Sequence, residues 1–390
     1  MSPQTLLLIF CRVLERAGFY GVRGVLVLYM VNGILQLGEQ KSVEIYGYLM
    51  LAFTLSYLPG ALLGDLLLGS RKAMIIGAAA MALGAFALCI PAMQSLYVGL
   101  ALLSIGLGLF DCNFLAQFGK YHLDQKQSLD AQFAFLYALV NIAAFAGGFL
   151  ISTLVGYGSF ILGFVCAGTL LLASAILAFF VKPQEAAVVE DFKKAKAFLI
   201  VGGSIFIVSL YWIIYEFATE SFYPMQEKLL GSYPELTGLV GSGSVVVLIP
   251  LCLVFGLIWM FKSYSPWIKL AIGFLFGALA FLFLSGQSGS PQFSLLDYFL
   301  VMLMLALSEL HIQPIMYSII TRYAHPKYLA IVTALSMVPS KILGYFYPIY
   351  LLHDAGRETA ELMGSGIVLS LIGLFVGTAF FLKKNTLSSH

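Results

Sequence analysis

The sequence predicts an all-α membrane protein, with twelve transmembrane helices in two six-helix bundles. Three observations carry that prediction. First, 61% of the 390 residues are hydrophobic and only 10% are charged, where a soluble domain carries about 25% charged residues. Second, the apolar runs are long and unbroken. Barrel strands would alternate polar and apolar residues over about ten positions, whereas runs near about twenty residues make helices that cross the hydrocarbon core. Third, one long polar interruption, with Pro183, Glu185, Glu190, Asp191, Lys193 and Lys194, parts the chain into equal numbers of spans. This composition excludes a soluble enzyme, a nucleic-acid binder and a disordered scaffold. The net charge of +2 points to no class of partner.

The spans fall at residues 5–35, 42–68, 72–92, 95–120, 130–155, 158–181, 198–230, 236–261, 267–285, 292–323, 328–353 and 361–382. Residues 1–181 form the first bundle, 182–197 a cytoplasmic linker and 198–390 the second bundle. A 6+6 plan is common among secondary transporters built from two related bundles. Lysine and arginine counts set the orientation. With the N-terminus inside, 14 fall on the cytoplasmic side, Lys269 among them, and 3 outside (Lys41, Lys228, Arg357). Both termini are therefore expected in the cytoplasm, in an inner (plasma) membrane. The first span lacks a basic leader and a cleavage site, so it reads as retained rather than as a signal peptide. Cys11, Cys89, Cys112, Cys166 and Cys252 lie in apolar runs without metal or disulfide spacing and read as packing residues. His311 reads as a packing histidine, and most of the aromatic side chains are expected to face lipid. No phosphate-binding loop, nucleophile–base pair or metal cluster is visible, so no cofactor and no enzyme activity are expected.

Ionisable residues inside spans are costly and mark function. Span 1 carries Arg12, Glu15, Arg16 and Arg23; span 4 Asp111; span 7 Glu216 and Glu220; span 10 Glu309; span 11 Lys341. Some at span ends can also snorkel to the interface. On a helix Arg12, Arg16, Phe19 and Arg23 share one arc, flanked by Glu15 and Tyr20, in a polar stripe about 16 Å long. Glu309, Gln313 and Tyr317 recur every fourth residue, as do Glu216 and Glu220. Guanidinium groups take carboxylates in bidentate fashion, and carboxylates suit an ammonium group. A cavity with cations on one wall and anions on the other suits a zwitterion. Asp65 sits at a span end, where it can accept from the free backbone N–H groups of a neighbouring helix terminus. The 60–64 run GALLG fits small-residue helix packing. Pro314, close to Glu309, suits a hinge.

Five stretches carry a family resemblance. LERAGFYGVR (14–23), preceded by Arg12, resembles the E-x-x-E-R-F-x-Y-Y-G-x-R signature of the proton-dependent oligopeptide transporters, a branch of the major facilitator superfamily. GALLGDLLLGSRK (60–72) is similar to the span 2–3 motif. GLGLFDCN (106–113) resembles the span 4 pattern G-x-G-x-F-K-x-N, and FAFLYALVNIAAF (133–145) the span 5 pattern, with Asn141 at its asparagine. SELHIQP (308–314) is similar to G-E-L-x-x-S-P in span 10. The departures are specific. The first Glu of E-x-x-E-R is Arg12 and the span 4 Lys is Asp111, a reciprocal exchange of charge that predicts an Arg12–Asp111 ion pair. The first Tyr of the pair is Phe19, Met337 stands where span 11 has an aromatic, and Lys341 has no counterpart.

The resemblance implies proton-coupled transport of small peptides or peptide-like zwitterions by alternating access, in a monomer whose partners are substrate, protons and the bilayer, with no nucleic acid. Arg16 and Arg23 would take the substrate carboxylate and Glu309 its amino group. Tyr20, Tyr57, Asn141, Gln313 and Lys341 would complete the binding set. Arg12, Glu15, Asp111, Glu216, Glu220 and Asp65 would serve coupling and gating, with Glu216 pairing with Arg23. The alternatives are an exporter of a drug or natural product on the same fold, and a membrane receptor that does not transport.

Overall fold

A computed structural model describes residues 2–33, 35–125, 127–184, 194–236, 245–262, 264–287, 293–350 and 358–388. Of the charges used for orientation, Lys126, Lys193 and Arg357 lie outside these residues, as does most of the 182–197 connection. The described residues form twelve α-helices: α1 Pro3–Asn32, α2 Glu39–Leu63, α3 Ser70–Ala87, α4 Met93–Tyr121, α5 Leu129–Gly156, α6 Phe160–Phe180, α7 Lys194–Ser232, α8 Val245–Phe261, α9 Pro266–Gln287, α10 Leu295–Tyr323, α11 Leu329–Tyr350 and α12 Glu358–Ser388. No strand occurs among the described residues. Nine described helices are long and apolar enough to cross a bilayer. The charged α1 is not among them, and α8 has only 17 residues.

Local chemistry sets the ends. The Ser2 hydroxyl accepts from the Thr5 amide at 3.1 Å, and Pro3 opens α1. Ser159 caps α6 in the same way, accepting from Leu162. Helix α2 does not stop at Leu63. It widens into a π-helical turn, Gly64–Leu68, which ends at Gly69 with φ of 78°, a conformation that favours glycine. Helices α2 and α4 cross with their backbones nearly touching. A Cβ on Gly60 would stand 2.1 Å from the Gly108 carbonyl oxygen, so the small-residue run is a packing device.

The described chain divides into two compact units. One comprises Met1–Asp124, Leu139–Phe198 and Ile320–Tyr345; the other comprises Gln125–Ala138, Leu199–Ile319 and Phe346–His390. The start of α5 thus belongs with the second-half helices α7 to α10, and the start of α11 with the first-half helices.

Some large rings are fully buried, Phe110, Phe114, Phe118 and Tyr211 among them, while others such as Phe149, Tyr157, Phe198 and Phe261 are exposed. Small residues elsewhere let helices approach closely, and the buried rings fill the space that remains. One expectation needs correcting: Lys269, counted among the loop charges, is buried, because α9 begins at Pro266 and its first turn packs under other helices. The five cysteines are free thiols, three of them buried.

Candidate functional site

In the first unit, the stripe of α1 meets Asp111 of α4 in a closed ring of charge. Arg12 donates from Nη2 to Asp111 Oδ1 at 2.5 Å and from Nη1 to Glu15 Oε2 at 3.1 Å. Arg16 donates from Nε to the same Glu15 oxygen at 2.9 Å, and its Nη2 lies 3.0 Å from the same Asp111 oxygen. Two carboxylate oxygens are each shared by two guanidinium groups, so the four charges cancel. All four residues are at most 5% exposed. The cations also lie near rings: Arg12 stands 4.9 Å from the Phe114 centroid and Arg16 5.7 Å from that of Tyr20. The expected Arg12–Asp111 pair is present, and Arg16 joins it. Glu15 Oε1 and Arg12 Nε are buried without a hydrogen-bond partner among the described residues.

Arg23, two turns further along the stripe, has different surroundings. It is half-buried and donates from Nε to the Tyr46 hydroxyl at 2.9 Å, with the Tyr20 ring 5.6 Å from its guanidinium carbon. Among the described residues no carboxylate lies within ion-pair distance of Arg23. Tyr57 is buried, while Tyr20 and Asn141 are half-buried. Lys341 is exposed.

Asp65 accepts from the Ile331 amide at 2.9 Å. It therefore caps the first turn of α11, where backbone N–H groups have no intrahelical partner. The π-helical turn is what delivers it. Asn113 of α4 donates to the Gly60 carbonyl at 3.0 Å and to Leu109 at 2.9 Å, bracing α2 just before it widens. Lys120 donates to Ser70 at 3.2 Å, beside this turn.

In the second unit, Glu309 is half-buried and accepts a hydrogen bond from the Tyr137 hydroxyl. One turn on, Gln313 accepts from Trp212 Nε1 at 2.8 Å. Ser308 pairs with Tyr211 at 2.7 Å and donates to the Gly273 carbonyl. Glu216 and Glu220 are exposed on α7. His311 packs against Phe255 and Trp259, with Nδ1 2.7 Å from the Leu307 carbonyl oxygen, as befits a packing histidine.

Tyr46, Tyr137, Trp212, Asn113, Asp130 and Lys269 were not among the candidate residues. Tyr137 and Asn113 lie inside the quoted motifs, and Tyr137 is one helical turn from Asn141. Asp130 carries the common signal of an acidic residue in a first turn. Nothing in the sequence singles out Tyr46 or Trp212 from the many other aromatic residues.

Residues 8–348 match the family model of the Major Facilitator Superfamily. Among characterised proteins, the chain is 30% identical over 147 residues to dipeptide and tripeptide permease A of Pectobacterium carotovorum, and 31% identical over 147 residues to that of Chromobacterium violaceum. In both cases the match covers 37% of this chain and 29% of the relative, so the chain spans less than a third of the length of these relatives. Two crystal structures share its fold over nearly its whole length. A POT family transporter in complex with 5-aminolevulinic acid superposes with a TM-score of 0.63 at 18% identity, covering 96% of this chain and 95% of the other. Peptide transporter POT in complex with sulfate gives 0.63 at 19% identity, covering 97% and 94%.

Proposed function

Because the chain belongs to the Major Facilitator Superfamily, we propose that it is a proton-coupled secondary transporter of small peptides or peptide-like zwitterions, working by alternating access. The observation that carries this reading is the contrast between Arg23 and the other two arginines of α1. Arg12 and Arg16 are each neutralised by Glu15 and Asp111. Arg23 is held by a neutral hydroxyl, so its charge and the rest of its guanidinium fork suit an incoming carboxylate. Arg16 then orients the ring rather than gripping cargo. Glu309 accepts from the Tyr137 phenol, and its carboxylate charge suits an ammonium group. Tyr20, Tyr57, Asn141, Gln313 and Lys341 complete the binding set. The di- and tripeptide permeases to which the chain is similar favour this cargo class.

Arginine does not release its proton in a protein, so coupling runs through a carboxylate. Asp111 and Glu15 are each held by two guanidinium groups, which leaves Glu216 and Glu220, and of these Glu216 is the coupling residue. Glu216 pairs with Arg23 in another state of the cycle; a substrate carboxylate competes for that arginine, and proton uptake on Glu216 follows. Glu220 supports it on the next turn, and Asp65 serves gating. The protein is a monomer of the inner membrane with both termini cytoplasmic.

Uptake of labelled dialanine into proteoliposomes, with and without an inwardly directed proton gradient, tests the reading. Concentrative uptake that collapses with a protonophore is expected. Uptake only from the opposite face marks an exporter, and peptide binding without flux a receptor.

A further inference from the structure

Helices α2 and α4 meet where a Cβ on Gly108 would stand 2.2 Å from the Ser56 carbonyl oxygen. From that crossing toward the starts of both helices they part, leaving a groove of about 630 Å³. Lys41, Glu44 and Tyr48 of α2 and Tyr97 of α4 line its end nearest the helix starts, and Ser56 and Ile105 its end nearest the crossing. On a helix the run from Lys41 to Ser56 is about 22 Å long. That is the depth of one leaflet in a bilayer about 40–45 Å thick with its headgroups.

Three features say what the groove takes. First, it lies on the reverse of α2 from the arginine stripe. Glu44, Tyr48 and Leu55 stand about 160–200° around the helix from Tyr46, which holds Arg23. Tyr48, Leu55, Tyr97 and Ile105 are each more than half exposed, an apolar face that suits lipid. Second, the deep end suits hydrocarbon. The Ser56 and Ser104 hydroxyls donate to the Phe53 and Leu100 carbonyls of their own helices at 2.7 and 2.8 Å, so their protons are already used. Third, the mouth carries both signs of charge. Lys41 and Glu44 lie one turn apart, about 5–6 Å between Cβ atoms. The Tyr48 hydroxyl donates to Glu44 Oε1 at 3.1 Å. Among the described residues Lys41 makes no ion pair. A purely anionic headgroup would suit Lys41 and be opposed by Glu44. A phosphate and a primary amine two carbons apart satisfy both.

We propose that this groove is a binding site for one phospholipid with an ethanolamine headgroup. Its phosphate rests on Lys41, its ammonium donates to Glu44, and an acyl chain lies between α2 and α4 down to the glycine crossing. Tyr97 stands at headgroup level, as aromatics at membrane interfaces do. The lipid fills the space where the two helices part. The site depends on the spans alone and not on which cargo the chain carries.

Native mass spectrometry of the full chain, delipidated in detergent and titrated with dioleoyl phosphatidylethanolamine, tests the site. One tightly held lipid per chain is expected. Lys41→Ala and Glu44→Gln should each weaken it about tenfold; both residues are exposed, so the fold should tolerate the changes. Ala101→Trp fills the groove with both charges in place and should abolish the tight event. Leu371→Trp, in an apolar groove between α7 and α12 that has no charged residue, should leave it unchanged. Dioleoyl phosphatidylglycerol lacks the amine, and the ammonium of dioleoyl phosphatidylcholine has no proton to donate. Each should bind the parent about tenfold more weakly, and Glu44→Gln should erase the preference over phosphatidylcholine. Tight binding that survives Ala101→Trp, or that is unchanged in Lys41→Ala and Glu44→Gln, overturns the proposal. So does a parent that holds either of the other lipids as firmly.

Discussion

Arg12 Nη2 lies 2.5 Å from Asp111 Oδ1, across 99 residues of sequence. The same oxygen lies 3.0 Å from Arg16, so Asp111 anchors two cations of α1 at once. Arg12→Ala or Asp111→Ala leaves buried charge uncompensated and should cost about 3–5 kcal/mol. Arg12→Glu combined with Asp111→Lys keeps two cations and two anions in the ring and should recover more than half of that loss. Thermal unfolding of the purified variants is the measurement; a double variant no more stable than the weaker single one refutes the pairing.

Arg23→Lys keeps the charge and removes the planar fork. Affinity for dialanine should fall about tenfold, equivalent to about 1.4 kcal/mol, while a C-terminally amidated analogue binds as before. Equal losses for both peptides would place Arg23 outside the carboxylate site.

Glu309→Gln keeps the shape and removes the charge. It should weaken a peptide with a free amine about tenfold more than its N-acetylated form. Competition binding measures this, and equal weakening would make Glu309 structural.

Glu216→Gln should abolish uptake driven by a proton gradient while substrate exchange without a gradient continues. Concentrative, gradient-driven uptake in that variant would move coupling to Asp111 or Glu15.

Asp65→Ala removes the cap on α11 and should destabilise the protein by about 0.5–2 kcal/mol, whereas Asp65→Asn keeps an acceptor and should cost less. Thermal unfolding, with amide exchange read at Ala330 and Ile331, separates the two outcomes.

Much of the fold was legible because lipid imposes one rule on every span, and apolar length obeys it. The ion ring was legible for a related reason: four charges on a helical stripe demand partners, and Asp111 was the exchanged counterpart of Arg12. Lys269 was misread because a lysine flanking an apolar run looks like a topology charge. Only three-dimensional packing brings Asp130 to it. Tyr46 and Tyr137 were hidden because a phenol pays little for residing in an apolar span, so neither is conspicuous in a sequence with 21 tyrosines. The π-helical turn left no trace, since hydrophobic periodicity over five residues cannot separate it from an α-helix.

That turn, Gly64–Leu68, has a consequence for how the chain tolerates insertion and deletion. A π turn holds about one residue more than an α turn, which rotates everything beyond it by about 100° relative to a regular helix. Removing Leu66 would let α2 run on as an ordinary helix at little local cost, since the lost residue makes no ladder of its own. The deletion also shifts the sequence by one residue, which offsets that rotation, so Ser70, Arg71 and Lys72 keep their facing. A one-residue gap at this point in an aligned pair of sequences therefore preserves phase, whereas an ungapped alignment with a sequence that lacks the turn would compare side chains that point in different directions.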